Sequence, residues 1–559
     1  MKLNVSVCII LLSLLMILPG CQSGNKGPAN GQKQIAASVP TPDSNYFQEI
    51  EDGIGLNFVH SIGDADLTNI VESSGGGAAF LDYDKDGFID IFACSGTWLK
   101  GFSKGEKPAV MPTNHLFHNL GNGTFEDVTK KAGVDGPWYT LGVTIGDYNN
   151  DGYPDIYLSC YGTNVLLKNN GNGTFTDVTK KAGVAGPGNK CSVGATWLDY
   201  DNDGYLDLYV GNYVDFDPNY KYYYAPDGFP GPMAYDAEPD ILYHNKHDGT
   251  FEDVTAAMGI IDKDGRAMGV GAVDIDNDGY TDIFVANDHT LNYLWHNEQG
   301  KKFIDWGTKS GTAFSQAGEA TVSMSVDFAD INGDGLVDMF KSDDTYCSLY
   351  VNQGNGVFID KANQSGISMA AAQFVGWSST FMDYDNDGNV DLFKTNGALK
   401  HLFGQESQMF RNDGNGNFKD VSLELGKYFK KAMVGRGACV GDYDNDGDLD
   451  IFIVNLNDKA VFLRNNRGNQ NNWLEINLEG TTSNRDGIGA KISLTAGGKT
   501  QTNWRKSTAG YLSQGDPRMH FGLARNDQAE KIEIKWPSGK VQVLENVKAN
   551  QILTVKEPK

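Results

Sequence analysis

One nonapeptide, Asp-x-Asp/Asn-x-Asp-Gly-x-x-Asp, recurs seven times in this chain and constrains its fold more than any other feature. The copies begin at Asp82, Asp147, Asp199, Asp274, Asp330, Asp383 and Asp442. Each lies between two short apolar runs, such as Gly77 to Leu81 before the first copy and Leu208 to Val210 after the third. Such runs are too short for helices and suit strands flanking a loop. A second element returns between the copies: HNLGNGTFEDVT at 118–129, KNNGNGTFTDVT at 168–179 and HNKHDGTFEDVT at 244–255, with weaker versions from His296, Val351 and Arg411. Asn-Gly or Asp-Gly between apolar segments marks a hairpin turn, because Gly accepts positive φ. One unit therefore reads strand, acidic loop, strand, variable loop, strand, Gly-rich turn, strand. Four short antiparallel strands per repeat make the blade of a β-propeller.

Starting each unit at its Phe, at 47, 125, 175, 251, 303, 358 and 418, gives seven units. The segment YFQEIEDGIGLNFVH at 46–60 echoes what otherwise precedes each acidic loop. The ring is thus expected to close with strands from both ends of the repeat region, which leaves no exposed sheet edge. The expected fold class is all-β: a seven-bladed propeller over 46–470 and a small β-sandwich-like domain over 471–559. In that second stretch Trp473 to Leu478 and Ile532 to Trp536 alternate apolar with polar residues, the pattern of half-buried strands.

Within each acidic loop, positions 1, 3, 5 and 9 carry side-chain oxygens and position 7 can offer a backbone carbonyl. The sets are Asp82, Asp84, Asp86, Phe88, Asp90; Asp147, Asn149, Asp151, Tyr153, Asp155; and Asp199, Asp201, Asp203, Tyr205, Asp207. They continue as Asp274, Asp276, Asp278, Tyr280, Asp282; Asp330, Asn332, Asp334, Leu336, Asp338; Asp383, Asp385, Asp387, Asn389, Asp391; and Asp442, Asp444, Asp446, Asp448, Asp450. Hard oxygen donors at alternating positions suit Ca²⁺, and the Gly at position 6 permits the turn around the ion. An EF-hand's bidentate Glu at position 12 and its flanking helices are missing. Up to seven structural Ca²⁺ are expected. Positions 1, 3, 5 and 9 of the loops account for 26 of the 72 acidic residues, so much of the formal charge of -26 is charge awaiting metal. That acidity argues against a nucleic-acid partner.

Residues 1–20 read as a signal segment: Lys2, an apolar run from Val5 to Leu18, then Leu18-Pro19-Gly20-Cys21. This ending resembles a bacterial lipoprotein cleavage box, with Pro19 departing from the usual small residue. The resemblance implies lipidation of Cys21, an anchor in the bacterial cell envelope (outer membrane, periplasmic or surface-facing), and a flexible tether over 21–45. Cys94, Cys160, Cys191, Cys347 and Cys439 lack metal-site spacing and read as buried thiols, with room for one disulfide.

The repeats resemble the FG-GAP/VCBS class. The C-terminal stretch resembles the ASPIC/UnbV domain through Asn484 to Ala490, Gly510-Tyr511-Leu512-Ser513-Gln514, His520-Phe521-Gly522-Leu523 and Trp536-Pro537-Ser538-Gly539. Arg485 and His520 match recurrent polar positions of that domain. Together the two look like the bacterial relatives of the cartilage acidic protein family. The resemblance implies calcium binding outside the cytoplasm and carries no known reaction.

Where a partner binds must be sought between the acidic loops. Residues 212–240 depart furthest from the repeat and hold Tyr213, Phe216, Tyr222, Tyr223, Tyr224 and Tyr235 among Pro and Asp. Clustered Tyr can stack on sugar rings or anchor an interface, or can simply cover the propeller. A shorter insertion, Trp98 to Asn114, is expected to border the same face. Asp288 and His289, just after a strand of the fourth unit, are further polar candidates. His118, His244 and His296 share one blade position, which points to architecture. No Ser-His-Asp or Cys-His order and no acid/base pair stand out, although a pair assembled across the central channel stays open. The reading is a calcium-stabilised, envelope-anchored binding or scaffold protein recognising a protein or glycan. The alternatives are a polysaccharide-acting enzyme on a propeller scaffold and a structural subunit of an outer-membrane complex.

Overall fold

In each repeat the acidic loop and the Gly-rich turn reverse the chain, so its strands pair antiparallel with their sequence neighbours. The computed structural model describes residues 46–50, 53–188, 190–222, 225 and 228–559. Cys21, Tyr223 and Tyr224 lie outside the described residues. The protein is 41% strand and 7% helix, as an all-β reading requires.

Blade 1 runs Ala78–Leu81, Asp90–Ala93, His115–Asn119 and Phe125–Asp127. Blades 2 to 6 repeat this order from Tyr139, Lys190, Ala267, Ser323 and Gly376. Blade 7 has three consecutive strands, Gly435–Gly441, Asp450–Asn455 and Val461–Asn465. Its fourth is Phe47–Glu49 from the other end of the repeat region, with Phe47 opposite Asn465. The seven blades and the closure by both ends match the expectation. Every outermost strand starts at the Phe that begins a sequence unit, and that ring is buried each time.

Periodicity does not assign the Val-Thr-Lys-Lys-Ala-Gly segments. Each forms one helical turn, Thr129–Ala132 and Thr179–Ala182, ended by Gly133 and Gly183 at φ 76° and 81°. Asp127 Oδ1 starts the first turn by accepting from Thr129 N (3.0 Å) and its hydroxyl (2.5 Å). The innermost strands crowd together around the ring axis. A Cβ on Gly142 would stand 2.7 Å from the Val193 carbonyl, so the approach of blade 3 requires glycine.

The C-terminal region forms two sheets. Met519–Ala524, Asn472–Glu479 and Ile552–Lys556 make one; Lys499–Trp504, Lys491–Ala496, Gln528–Lys535 and Val541–Lys548 make the other. Leu474, Ile476, Ile492, Leu494, Phe521 and Ile534 meet between them, the core of a small sandwich. This domain sits on the acidic-loop face of the ring. Arg485 N donates to Asn150 Oδ1 (2.9 Å), Lys491 Nζ to Asn277 Oδ1 and the Gly335 carbonyl (both 2.8 Å), and Lys499 Nζ to the Gly388 carbonyl (2.6 Å). Arg518 reaches the Asp442 carbonyl at 2.6 Å and is itself held by Glu475 and Asp516.

Between its third and fourth strands the domain sends residues 507–516 into the propeller channel. Ser507 Oγ accepts from Trp197 N (2.9 Å), and Thr508 Oγ1 donates to the Val270 carbonyl (3.2 Å). The Leu512 carbonyl accepts from Val143 N (3.2 Å), the Gln514 carbonyl from Phe80 N (3.1 Å), and the Val440 carbonyl from Asp516 N (2.9 Å). Tyr511 N donates to Ser378 Oγ (3.1 Å), and Gly510 bridges Val326. The plug thereby touches the innermost strand of all seven blades. This segment occupies the channel in which facing catalytic groups would have to assemble.

All five described cysteines are buried and free, so the thiol reading stands without a disulfide among them.

Candidate metal loops and the opposite face

The seven acidic loops share one internal geometry. In loop 1, Asp82 accepts from Asp86 N through Oδ1 and from Gly87 N through Oδ2 (both 3.1 Å), and Asp86 Oδ1 accepts from Phe88 N (2.9 Å). Asp90, at position 9, accepts from Tyr83 N (3.1 Å) and from Asn119 N (2.8 Å). Positions 1, 5 and 9 are thus tied to the backbone, while position 3 has little to hold. Asp84 Oδ1, Asp201 Oδ1 and Asp385 Oδ1 are buried with no hydrogen-bond partner among the described residues, as are Asp391 Oδ2 and Asp448 Oδ2. A buried carboxylate oxygen left this way is costly.

Carboxyl acidity reports the same crowding. Burial first, then neighbouring carboxylates, push Asp82 up to about 6, Asp199 to about 8 and Asp448 to about 8; burial and the Asp486 carboxylate raise Asp147 to about 7. Asp155, Asp383, Asp391 and Asp450 stand well above the ordinary carboxylate range for like reasons. Ligand-capable oxygens of Asp82, Asp84 and Asp86, and of Asp199, Asp201 and Asp203, lie within 4.8 Å of one another. These donors fit a hard divalent cation, which would supply the missing partner to position 3 and favour the ionised form of all four carboxyls.

Six of the seven loops also face an internal cation at one blade position. His118 Nδ1 stands 3.1 Å from Asp90, His244 Nδ1 3.1 Å from Asp207, and His296 Nδ1 3.0 Å from Asp282. Lys168 reaches Asp151 at 2.9 Å, Arg411 reaches Asp385 at 3.0 Å, and Arg464 reaches Asp444 at 3.1 Å. In loop 5 the position is Val351. The histidines are architecture, as their recurrence suggested. The bond to Asp207 holds His244 up at about 9.

Sequence reasoning missed two residues that wire the loops together. Position 4 is Lys85, Asn150, Asn202, Asn277, Gly333, Asn386 and Asn445, and all seven have φ between 53° and 74°. This left-handed backbone favours Asn and Gly. Asn150 Nδ2 then donates to the Gly204 carbonyl of the next loop (2.9 Å), Asn202 to Gly279 (3.0 Å), Asn386 to Gly447 (2.9 Å) and Asn445 back to Gly87 (3.0 Å). The second is the Asn that follows the His118 position in every blade. Asn297 Nδ2 donates to the Tyr200 carbonyl of the preceding blade (2.8 Å), and Asn119, Asn169, Asn245, Asn352, Asn412 and Asn465 make the same staple. The repeated Asn stands in an HN, KN or RN pair in six units and in Val351-Asn352 in the other, but its inter-blade partner is remote in sequence.

On the opposite face the two insertions meet as expected. Phe102 packs 5.8 Å from Phe216 and 4.8 Å from Tyr161, and Phe216 lies 5.5 Å from Tyr235. These rings differ from an open stacking surface. Tyr213, Phe216, Phe229 and Tyr235 are buried in a cluster that also takes in Trp377 and Tyr511, because aromatic area this large is more stable capping the channel than wet. Tyr220 and Tyr222 remain exposed, at 43% and 45%. Beneath the cap, Tyr213 donates its hydroxyl to Asp288 Oδ2 at 2.5 Å. Asp288 is 5% exposed, and its Oδ1 has no hydrogen-bond partner among the described residues. His289, in left-handed backbone at φ 59°, is exposed beside it, Nε2 3.9 Å from that oxygen. Arg485 and His520 lie on the other face, where Arg485 Nη2 stands 3.5 Å from Glu479 and His520 Nε2 3.4 Å from the Gly447 carbonyl.

A ring of seven four-stranded blades, wired through acidic loops and plugged from a C-terminal sandwich, defines the class: a repeat propeller with a dedicated capping domain. The chain belongs to the FG-GAP-like repeat family, which matches residues 82–158, 148–210, 233–285, 274–341, 330–393 and 403–453. Residues 480–559 match the ASPIC and UnbV domain. Cartilage acidic protein 1 is homologous: the Mus musculus protein is 28% identical over 356 residues, covering 62% of this chain and 51% of the relative. The Homo sapiens protein is 28% identical over 359 residues with the same coverages. The chain thus spans about half the length of the curated relatives it matches. Among solved structures it is similar to an Agrocybe aegerita lectin recognising non-reducing terminal N-acetylglucosamine (18% identity, 69% of this chain and 87% of that one, TM-score 0.40). It is also similar to the BP39L lectin of Burkholderia pseudomallei (10% identity, 70% and 96%, TM-score 0.44).

Proposed function

We propose that this protein is a calcium-stabilised binding or scaffold protein that recognises a protein or glycan on the face carrying the 212–240 insertion. The observation behind it is a division of labour. The acidic-loop face is covered by the C-terminal domain and the channel is plugged, whereas the opposite face carries exposed Tyr220 and Tyr222 on the insertion whose Tyr213 and Phe229 line a small cavity with a buried, unsatisfied acceptor. Long insertions on a rigid scaffold commonly carry recognition. Ca²⁺ at the acidic loops would hold the scaffold, and lipidated Cys21 would tether it to a bacterial envelope membrane.

The test presents the calcium-loaded full chain to envelope proteins and to a glycan array, beside a Tyr220→Ala/Tyr222→Ala variant and a Lys540→Ala control on the C-terminal domain. Capture that the tyrosine variant loses and the control keeps supports the reading. Capture unaffected by the tyrosines, or no retention of any protein or glycan, overturns it.

A further inference from the structure

We propose that the cavity beneath the aromatic cap is a receptor for a primary ammonium group, the side chain of a lysine or the N-terminal amine of a partner protein. This rests on the reading of that face as the recognition face and narrows its ligand. The cavity is about 80 Å³ and lies at the channel mouth opposite the C-terminal domain. Its walls are largely apolar, with Phe229, Met268, Val322, Met324 and Trp377 among them. Its polar lining is His289, Lys400 (Nζ 5.7 Å from the Phe229 ring centroid), Ser73, Ser74, Tyr213 and Asp288. Ser73 and Ser74 donate their hydroxyls to the Ile70 carbonyl, and Tyr213 donates to Asp288. Asp288 Oδ1 is the acceptor left open, and it is buried.

A carboxylate oxygen in such a place needs a donor, and a charged donor compensates its desolvation best. The charges that act on Asp288 from packed elements are His289 and Arg266, which favour its ionised form, and Asp343, which opposes it. Neither cation makes a hydrogen bond to Oδ1: His289 Nε2 stops at 3.9 Å, and Arg266 is turned to the Pro232, Asp264 and Tyr235 carbonyls. An ammonium on a methylene stem matches one buried acceptor behind apolar walls. A sugar ring matches it less well, because most of its hydroxyls would lose water without gaining a partner. The backbone at His289 holds a non-glycine residue in left-handed conformation at the entrance, where strain of this kind collects at ligand sites.

The experiment titrates calcium-loaded full-length protein with end-blocked Gly-Lys-Gly and with the same peptide acetylated on Nζ, following His289 and Trp377 side-chain signals by NMR. The unmodified peptide should bind at least about tenfold more tightly than the acetylated one, since each tenfold is about 1.4 kcal/mol and a charge-assisted bond supplies that or more. Asp288→Asn, which keeps the shape and can still accept from Tyr213, should erase the difference while its melting temperature stays near that of the parent. Tyr213→Phe serves as a second variant if Asp288→Asn does not fold, and should weaken the same preference. Equal binding of both peptides, or an unchanged preference in a folded Asp288→Asn protein, overturns the ammonium assignment. N-acetylglucosamine binding that depends on Asp288, with no response to lysine, also overturns it but leaves the recognition face intact. Partner capture indifferent to Tyr220 and Tyr222 would instead remove the reading on which it rests.

Discussion

The two faces of the ring handle buried carboxylates in opposite ways. On the acidic-loop face the same loop positions recur in every blade, with positions 1, 5 and 9 tied to backbone amides, and the loops are cross-linked to one another and covered by a second domain. On the other face Asp288 sits under a cap that belongs to no repeat, one oxygen held by Tyr213 and the other without a hydrogen-bond partner among the described residues. Recurrence at equivalent positions is what a scaffold produces, since each blade must solve the same closure problem. An open carboxylate oxygen in a largely apolar mouth solves no problem that the other blades share. The comparison separates what holds the ring from what the ring presents.

The largest effect should come from metal removal. Excess chelator, with loss confirmed by elemental analysis, should lower the melting temperature by more than about 10 °C, since each site occupied at a hundredfold excess over its dissociation constant adds about 2.7 kcal/mol. New protease cuts should fall in the acidic loops and leave 212–240 until later. An unchanged melt after verified metal loss would break the assignment of the loop face.

Next comes a pair of tyrosines. Tyr511→Ala empties a fully buried site between the plug and Trp377, whose ring lies 5.0 Å away, and should cost about 3–5 kcal/mol by calorimetry. Tyr222→Ala should change stability by less than about 0.5 kcal/mol, because its ring is exposed, yet reduce partner capture. Similar stability losses from both would erase the distinction between plug and presenting face.

The smallest effect is a slope with pH. In chelated protein Asp82, Asp147 and Asp199 keep protons up to about 6, 7 and 8, whereas the unfolded chain releases them near 3.8. The native state then binds more protons across that window, so stability should fall as pH rises from 4 to 8. His244, raised to about 9 by its bond to Asp207, acts in the same direction. Calcium replaces those protons, so the loaded protein should instead lose stability as pH falls through the window. Melting curves with parallel slopes in the two states would contradict this.

Much of the ring was legible because its constraints are local and repeated. A nine-residue loop, an Asn-Gly turn and a leading Phe each announce themselves in every unit, and Phe47 lies where the seventh outermost strand was needed. The helical turns at Thr129 and Thr179 were not, since four residues carry no periodicity. The plug was invisible for another reason. Gly510 to Gln514 reads as a polar, turn-like stretch, and only contact with seven strands spread from Phe80 to Val440 gives it a role. The aromatic insertion is a third case, where composition left a stacking surface and a cover equally open. The rings of Tyr213, Phe216 and Tyr235 found more apolar surface inside, and the polar residue they shelter carries the recognition proposal.

Closure of blade 7 by Phe47–Glu49 also sets a timetable. During synthesis this strand emerges first among the repeats, while its partner at Val461–Asn465 comes last. Until then the early strand has no sheet to join and the growing array keeps an open edge, the kind of long-range pairing that is slow and exposed to mispairing. The plug arrives later still, after the ring it fills. A chain halted anywhere before residue 465 is therefore an unclosed series of sheets able to borrow a strand from a neighbour, and one halted before residue 516 is a ring with an unfilled centre.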